Sequence, residues 1–468
     1  MPNATFTLRS RMPASADEVY AWHARPGAFQ RIQPPWEPIT VTPADGTFGT
    51  NGFRVNIRTA VLGPIKGNWV AEAYDFQPGR GFRDRQLSGP FAYWDHTHRM
   101  IPDGPDSSFL EEHVEYRLPL GQLGRALVGN VTRRRLAAMF AYRHAVTASD
   151  LRRHAQYRDR PRLKVAITGS RGLIGADLVL FLTTGGHSVV RLVSSSLPQS
   201  HVDDGTKWVA WNPQAPLDPA TLDGCDAVVH LAGDNIAEGR WTDAKRKSIV
   251  ESRTVPTRHV AEAMATLPPE RRPRVLVSAS GVGVYGDRGD EELTEDSAPG
   301  SGFLADVCRQ WEGATTPASA AGVRVVNLRI GVVLSPKGAA LGKQLFAFKV
   351  GAGAVLGSGK QWLAWITLND LVGAIHHCLM TESVRGPVNA VGPHPATNEE
   401  FTKALGRVLS RPAFLRLPPG VLRVMFGELA DAALLASLRS LPRKLLATGF
   451  AFDHPDLEPA LRLLLGRA

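Results

Sequence analysis

The chain has 468 residues, 43% of them hydrophobic in type, and a formal net charge of +10, so one ordinary core cannot hold it and two or more domains are expected. Much of the positive excess is arginine before residue 162, including Arg133, Arg134 and Arg135 in one helical stretch; with no nucleic-acid motif and no interleaved aromatic platform beside it, a solvated face and no specific nucleic-acid partner are expected. Three widely spaced cysteines, no apolar segment at the N-terminus and no long uncharged apolar run argue against a disulfide framework, secretion and membrane spanning, and a reduced cytoplasmic compartment is expected.

In chain order, the alternating segments FRVNIRTAV and NWVAEAYDF suit antiparallel strands with one buried face. A helical stretch over about 123–153 follows, with Val128, Val131, Leu136, Met139 and Phe140 on one side. A curved sheet closed by such a helix encloses an apolar cavity. This first part resembles the START/Bet v 1-like (SRPBCC, polyketide cyclase-like) family across nearly all of residues 1–155. The likeness is carried by FTLRSRMPASADEVYAWHARPGAFQRIQPPW, RQLSGPFAYWDHTHRM and HVEYRLPLG. It implies a hydrophobic ligand pocket and no particular reaction. His96 and His98 point to the same side of a strand; with no third ligand nearby in sequence they read as a pair on a half-polar face, and no metal site is expected.

The polar stretch HAQYRDRPRLK, residues 154–164, marks a domain boundary. Beyond it KVAIT, SVVRLV, AVVHLA, RVLVSAS, RVVNLRI and PVNAV alternate with helical patterns, the rhythm of a doubly wound parallel sheet. After about residue 410 the pattern becomes a compact helical tail.

The strongest motif is TGSRGLIG, residues 168–175, between the strand KVAI and the helix ADLVLFL. Gly169 permits the tight turn, Gly172 lets the backbone approach a diphosphate, and Gly175 lets the helix pack on the strand. Ser170, Arg171, Leu173 and Ile174 complete the loop and the helix start that faces the phosphates. The next strand ends in RLVSSS, so Ser194 and Ser195 stand where an NAD-binding sheet carries a carboxylate, and Arg171 is placed to pair with a 2′-phosphate. NADP(H) is therefore the expected cofactor.

Together with VVHLAG and VSASGVGVYG, this loop resembles the extended short-chain dehydrogenase/epimerase superfamily. WVAWNP, HLAGDNIAEGRWTDAKRKSIVESR, YGDRGDEELTEDS and GSGKQWLAWI resemble its atypical nucleoside-diphosphate-sugar epimerase-like branch. RPAFLRLPPGVLRVMFGELAD resembles the small domain of unknown function that closes members of that branch. The likeness runs from about 164 to 460. It implies that Leu231, Ala232 and Gly233 lie along the adenosine, that Gly331 and Val332 approach the nicotinamide, and that Ser280 matches the catalytic Ser/Thr. Asp370 resembles a fold-stabilising Asp at a helix start.

One part of the superfamily's machinery is missing. Counted back from Glu312 in SGFLADVCRQWE, the Tyr-x-x-x-Lys positions hold Leu304 and Cys308, which supply neither a proton donor nor a fixed cation. Tyr285 is a candidate replacement acid, or a structural residue ending its strand. Cys308 reads as a small buried hydrophobe rather than a nucleophile. Arg240 and Lys245, with Trp241 beside them, are candidates for holding an anionic substrate. Trp362 and Trp365 are candidates for stacking on a planar or sugar-like ligand, or for core packing. The acidic run DEELTED reads as a solvated loop.

The expected architecture is an α/β doubly wound parallel (Rossmann) sheet over 163–400, preceded by an α+β helix-grip domain over 1–155 and followed by a small helical domain over 410–462. The leading function is an NADP(H)-dependent oxidoreductase or isomerase acting on a small molecule, and the cavity domain points to an apolar or lipid-like one. The rival is a non-catalytic NADP(H)-binding or sensing protein whose first domain carries a lipid-like ligand. Nucleotide-sugar epimerisation is a third reading.

Overall fold

The structure, a computed structural model, describes residues 3–37, 39–46, 48–62, 65–194 and 205–467. Among these residues there are two large sheets of seven strands each.

The first sheet is built from β1 (Ala4–Met12), β2 (Thr40–Asp45), β3 (Phe53–Leu62), β4 (Ile65–Gln77), β5 (Gly81–Ser88), β6 (Tyr93–Pro102) and β7 (Ser108–Arg117). It is antiparallel, in the order β1-β7-β6-β5-β4-β3-β2. Helices α1 (Ala16–Ala24) and α2 (Ala28–Arg31) follow β1, and the 35-residue α3 (Gly121–Ala155) lies across the sheet. The period-two pattern of β7 turns Leu110, Glu112, Val114 and Tyr116 inward. The apolar stripe of α3 is buried only from Leu136 onward; Val128 and Val131, expected in the core, are 42% and 57% exposed. Arg133, Arg134 and Arg135 are solvated.

The interior of this domain departs from the expected apolar lining. Phe6, Trp94, Val114, Tyr116, Leu136 and Phe140 pack together in it. Beside them lies a polar cluster of Asp84, His96, His98, Glu112 and His144. His96 and His98 are thus accompanied by two carboxylates from neighbouring strands, a proximity that spacing along the chain does not reveal.

The second sheet contains β8 (Lys164–Thr168), β9 (Ser188–Val193), β10 (Lys207–Ala210), β11 (Ala227–His230) and β12 (Val275–Gly281), then the strands Arg324–Ile330 and Gly386–Ala390. Their order is β10-β9-β8-β11-β12 followed by those two, every neighbour parallel. This is the expected doubly wound sheet, with β10 added at its edge. Helices α4 (Leu173–Thr184), α5 (Asp243–Thr266) and α6 (Phe303–Gly313) connect its strands. The order of the strands reverses between β8 and β11, the switch point at whose carboxyl ends sheets of this kind bind ligands. No helix among the described residues is long and apolar enough to cross a membrane.

The boundary at 154–164 is not a loose linker. Arg153 and His154, at the end of α3, are 7% and 4% exposed. The Arg153 guanidinium occupies a slot beside Gly373 in the helix Leu368–Met380; a Cβ on Gly373 would fall 1.0 Å from Arg153 Nη1. Arg153 Nη2 donates to Asp370 Oδ1 and to Asp453 Oδ2, both at 2.7 Å. Thr367, not Asp370, caps this helix; Asp370 instead accepts the backbone N–H groups of Asp453 at 2.8 Å and His454 at 3.1 Å. Removing one partner of such a buried pair costs about 3–5 kcal/mol, because the other charges stay buried and unpaired. Arg153→Met is expected to lower stability by that order in urea unfolding followed by tryptophan fluorescence. Arg135→Met, which breaks only the exposed contact to Glu37 at 3.0 Å, should stay within about 1 kcal/mol of the parent.

Candidate active site

The chain leaves β8 at Thr168 and turns at Gly169, whose φ of +67° is open mainly to glycine. A Cβ there would press on the Leu231 carbonyl carbon at 2.8 Å and on the Ala232 nitrogen at 2.9 Å, so the end of β11 lies directly against the loop. A Cβ on Gly175 would fall 2.3 Å from the Gly169 oxygen; only glycine lets α4 rise this close. Gly172 stands at the head of α4 with no side-chain cap, whereas α5 is capped by Thr242. The first-turn N–H groups of α4 and the exposed Arg171 and Gly172 thus form an anion-binding cradle that fits a diphosphate. The Thr168 hydroxyl locks the arrangement: Oγ1 accepts the Leu231 N–H at 3.2 Å and meets His230 Nδ1 at 2.8 Å.

Beside the glycine loop, Arg191 in β9 donates to the Ser170 oxygen at 2.8 Å and to Ser170 Oγ at 3.3 Å. Its guanidinium lies 4.0 Å from the centre of the Trp208 ring, and that of Arg171 lies 5.3 Å from the same ring. Ser194 is exposed just past β9; Ser195 falls outside the described residues. The expectations missed Arg191, whose only signal is a charge inside the otherwise apolar SVVRLV.

Near the end of β12, Ser280 donates to Glu312 Oε1 at 2.8 Å. Glu312, on α6, receives two N–H bonds from Arg329, at 2.8 and 2.9 Å. Arg329 is the sheet neighbour of Ser280 on the adjoining strand. Leu304 and Cys308 do face this strand end: a Cβ on Gly283 would lie 3.3 Å from Leu304 Cβ, and one on Gly281 3.6 Å from Cys308 Sγ. The site therefore presents a serine, a carboxylate and an arginine beside an apolar position, with no tyrosine there.

Tyr285 meets this group through Arg329 and not through Ser280 or Glu312. It is fully buried, its hydroxyl accepts from Arg329 Nη1 at 2.9 Å, and it lies 2.7 Å from Asn389 Oδ1 and 2.8 Å from the Thr294 oxygen. Burial raises its pKa. The replacement-acid expectation gives way to the structural alternative, since the phenol has no open direction towards a ligand. The acidic run also departs from expectation: Glu295 is buried and accepts the backbone N–H groups of Asn389 and Lys444, both at 3.1 Å.

The other expected residues divide. Gly331 and Val332 lie against the segment 362–367, with the Val332 N–H on the Ala364 oxygen at 2.7 Å. Trp365 is 1% exposed and its indole donates to the His394 oxygen at 2.9 Å, so it is core and does not face a ligand. Trp362 is half-buried, tied to Asp290 at 2.8 Å and covered by Arg439. Lys245 pairs with Asp234 at 2.8 Å, and Arg240 donates to the Val424 oxygen of the C-terminal helix Pro419–Phe426. Neither cation converges on Ser280 in this arrangement. Trp241 packs with Val307, Phe303 and Leu304, forming an apolar wall that reaches the vacant tyrosine position.

A doubly wound sheet with this glycine loop after its first strand and this serine on its fifth defines a short-chain dehydrogenase-type fold. Residues 165–392 match the NAD dependent epimerase/dehydratase family, residues 417–464 a domain of unknown function (DUF1731), and residues 12–140 the polyketide cyclase/dehydrase and lipid transport family. The epimerase family protein Mb2239 of Mycobacterium bovis is 43% identical over 298 residues, 64% of this chain and 96% of that protein. The nucleoside-diphosphate sugar epimerase from Corynebacterium glutamicum superposes with a TM-score of 0.77 at 33% identity, covering 98% of this chain and 90% of its own. The human epimerase family protein SDR39U1, solved with NADPH, superposes at 0.59 and 33% identity, covering 65% of this chain and 99% of its own. The chain belongs to the NAD dependent epimerase/dehydratase family, among the SDR39U1-like epimerase family proteins, with a polyketide cyclase-like domain in front.

Burial pushes the Cys308 thiol up to about 11 and that of Cys378 up to about 12, and raises that of Cys225. At pH 8 the thiolate fraction of Cys308 is then about one part in a thousand, too little for a nucleophile. All three cysteines are buried. A disulfide reagent should accordingly titrate no fast thiol in the native protein and three after unfolding.

Proposed function

We propose that the chain is an NADP(H)-dependent oxidoreductase or isomerase in which Ser280 and Glu312 together replace the missing tyrosine. The observation that carries this reading is the Ser280 hydroxyl held on an arginine-braced carboxylate at the end of β12. Residues 169–175 would hold the diphosphate, Arg171 and Ser194 the 2′-phosphate, Leu231, Ala232 and Gly233 the adenosine side, and Gly331 and Val332 the nicotinamide side. Bound there, the cofactor supplies hydride transfer. The NADPH bound to the human relative supports the choice of NADP(H).

Ser280 accepts a hydrogen bond from the substrate hydroxyl while its own proton points at Glu312. On oxidation the substrate proton passes to Ser280 Oγ and the serine proton to Glu312; on reduction both return. Arg329 orients the carboxylate and keeps it from rotating away. Leu304, backed by Phe303 and Trp241, offers an apolar wall, which favours a substrate with an apolar face.

Leu304 carries no proton-transfer group and Cys308 no fixed cation, and this favours the rival reading of a non-catalytic NADP(H) carrier or sensor. A fluorescence titration with NADPH, then single-turnover oxidation against carbonyl compounds and sugar nucleotides, separates the two. Gly172→Asp should weaken NADPH binding at least about 100-fold by placing a carboxylate against the diphosphate, and Arg171→Ala should narrow the preference for NADPH over NADH about tenfold. Ser280→Ala and Glu312→Gln should each slow turnover by about 10²–10⁴ while leaving NADPH affinity unchanged. Tight NADPH binding with no oxidation by any compound would favour the carrier. A preference for sugar nucleotides would favour epimerisation.

A further inference from the structure

The polar cluster of the helix-grip domain plays no part in the site above. Three adjacent strands deliver it to the inner face of the sheet: Asp84 from β5, His96 and His98 from β6, Glu112 from β7. The registers Asp84↔His96 and His98↔Glu112 set these residues side by side. His96, His98 and Glu112 are 2%, 8% and 3% exposed, in that order. Phe82 stacks on the His98 ring at 4.1 Å and Phe140 meets the His96 ring edge-on at 5.1 Å, so little water reaches the imidazoles.

Hydrogen-bond accounting shows what is missing. Glu112 Oε2 lies 2.8 Å from His96 Nε2 and 2.7 Å from His98 Nδ1. His96 Nε2–H donates to Glu112 Oε2, so the other nitrogen of a neutral ring, Nδ1, is a bare lone pair 3.1 Å from Asp84 Oδ2, itself an acceptor. The single N–H of a neutral His98 serves only one side: on Nε2 it donates to Asp84 Oδ2 at 3.0 Å, and Nδ1, which has no hydrogen-bond partner, is left as a lone pair 2.7 Å from Glu112 Oε2. Neutral rings thus leave lone pairs facing carboxylate oxygens. Two extra protons would remove those contacts, at the cost of two imidazolium rings with centroids 3.9 Å apart in a buried site. One divalent cation between Asp84 Oδ2, His96 Nδ1 and His98 Nε2 supplies the same charge and leaves both rings neutral. A second observation comes from α3: His144, 3% exposed, aims Nε2 at Glu112 Oε1 from 3.6 Å, and that nitrogen has no hydrogen-bond partner, while Nδ1 is held by Ser10 Oγ at 2.7 Å. The carboxylate behind the two rings is therefore itself backed by a third imidazole.

We propose that Asp84, His96 and His98 bind a divalent first-row transition ion of the Fe²⁺, Co²⁺ or Zn²⁺ class, with Glu112 as the outer carboxylate that accepts from His96 Nε2 and lies 2.7 Å from His98 Nδ1. Two histidines and one carboxylate on one side of an ion leave its remaining positions to water or a ligand. A carboxylate accepting the distal N–H is the usual support for a metal-bound histidine. The Asp84 side chain is 20% exposed, which gives the ion a way in, and Trp94 Nε1 holds its other oxygen at 3.3 Å. The three ligand atoms lie within 4.8 Å of one another.

A second histidine cluster, His154, His187 and His376, has the same spacing but the wrong chemistry. The Leu163 N–H donates to His187 Nδ1 at 3.0 Å, so a neutral His187 carries its proton on the nitrogen facing the cluster. Its charged surroundings are the cations Arg25, Arg153 and Arg162, which repel a metal ion. It serves as the internal control.

The test is a Co²⁺ titration of the chelator-stripped full chain, read by visible d–d absorption and by thermal unfolding. The expected result is one equivalent bound, displaced by Zn²⁺, with a raised Tm. His98→Gln and Asp84→Asn should each weaken binding at least about 100-fold and Glu112→Gln about 10–100-fold, while His376→Gln leaves it unchanged. Where circular dichroism shows that His98→Gln does not fold, Asp84→Asn, at the partly exposed end of the cluster, carries the test. The proposal is overturned if the parent shows no stoichiometric absorption, if the absorption survives Asp84→Asn, or if His376→Gln abolishes it.

Discussion

The architecture depends on one carboxylate, that of Asp370. It is fully buried and accepts from Arg153 of the helix-grip domain, from the Thr367 hydroxyl of its own helix start, and from the backbone of Asp453 and His454 near the chain's end. Three segments from distant parts of the sequence thereby meet on two oxygens. A buried charge of this kind is tolerated only when its lone pairs are fully used. The constraint is mutual: Arg153 can reach Asp370 only because Gly373 leaves the helix surface open. Arg31, held by Asp150 of its own domain at 2.8 Å, makes a second buried contact to the later part of the chain by reaching Asp177 of α4 at 3.2 Å. Asp370 and Asp177, the carboxylates that receive the first domain, both lie on helices that connect strands of the parallel sheet.

At the carboxyl ends of the parallel sheet, neighbouring strands divide the work. The loop after β8 offers backbone N–H groups, glycines and the exposed Arg171, a chemistry suited to a ligand whose charge is carried by phosphate. The end of β12 and the strand beside it place Ser280 next to Arg329, and α6 lowers Glu312 between them. Tyr285, only five residues beyond Ser280, joins the same Arg329 from the opposite side and belongs to the packing of that strand end. One arginine thus serves both a polar site and a buried phenol, so the position of Ser280 is coupled to the core behind it.

The helix-grip domain shows a different use of a similar resource. Its inner face carries carboxylates and imidazoles where members of a lipid-transport family would be expected to present apolar surface, and the aromatic packing around them is dense. Ionisable groups placed this deep are costly unless each is paired. The strands β5, β6 and β7 set carboxylates beside imidazoles at facing registers, yet His98 Nδ1 and His144 Nε2 keep no hydrogen-bond partner.

Much of the fold was legible in the residues themselves. Period-two and βαβ patterning located both sheets, and TGSRGLIG located the loop, because strand pleat and glycine conformation are properties of a few consecutive residues. The absence of a tyrosine and a lysine at 304 and 308 is likewise a matter of counting. What surrounds those positions was not legible: Ser280, Glu312 and Arg329 are far apart in the chain and meet only through sheet register and helix placement. The same holds for Asp84 and Glu112 around His96 and His98, for Glu295 drawn out of an acidic run into the core, and for Trp365, whose burial depends on what lies over it. Local conformation and binding-loop chemistry follow from sequence because they are short-range; the pairing of buried charges follows from tertiary structure alone, because it depends on which distant strands the core brings within a hydrogen bond of each other.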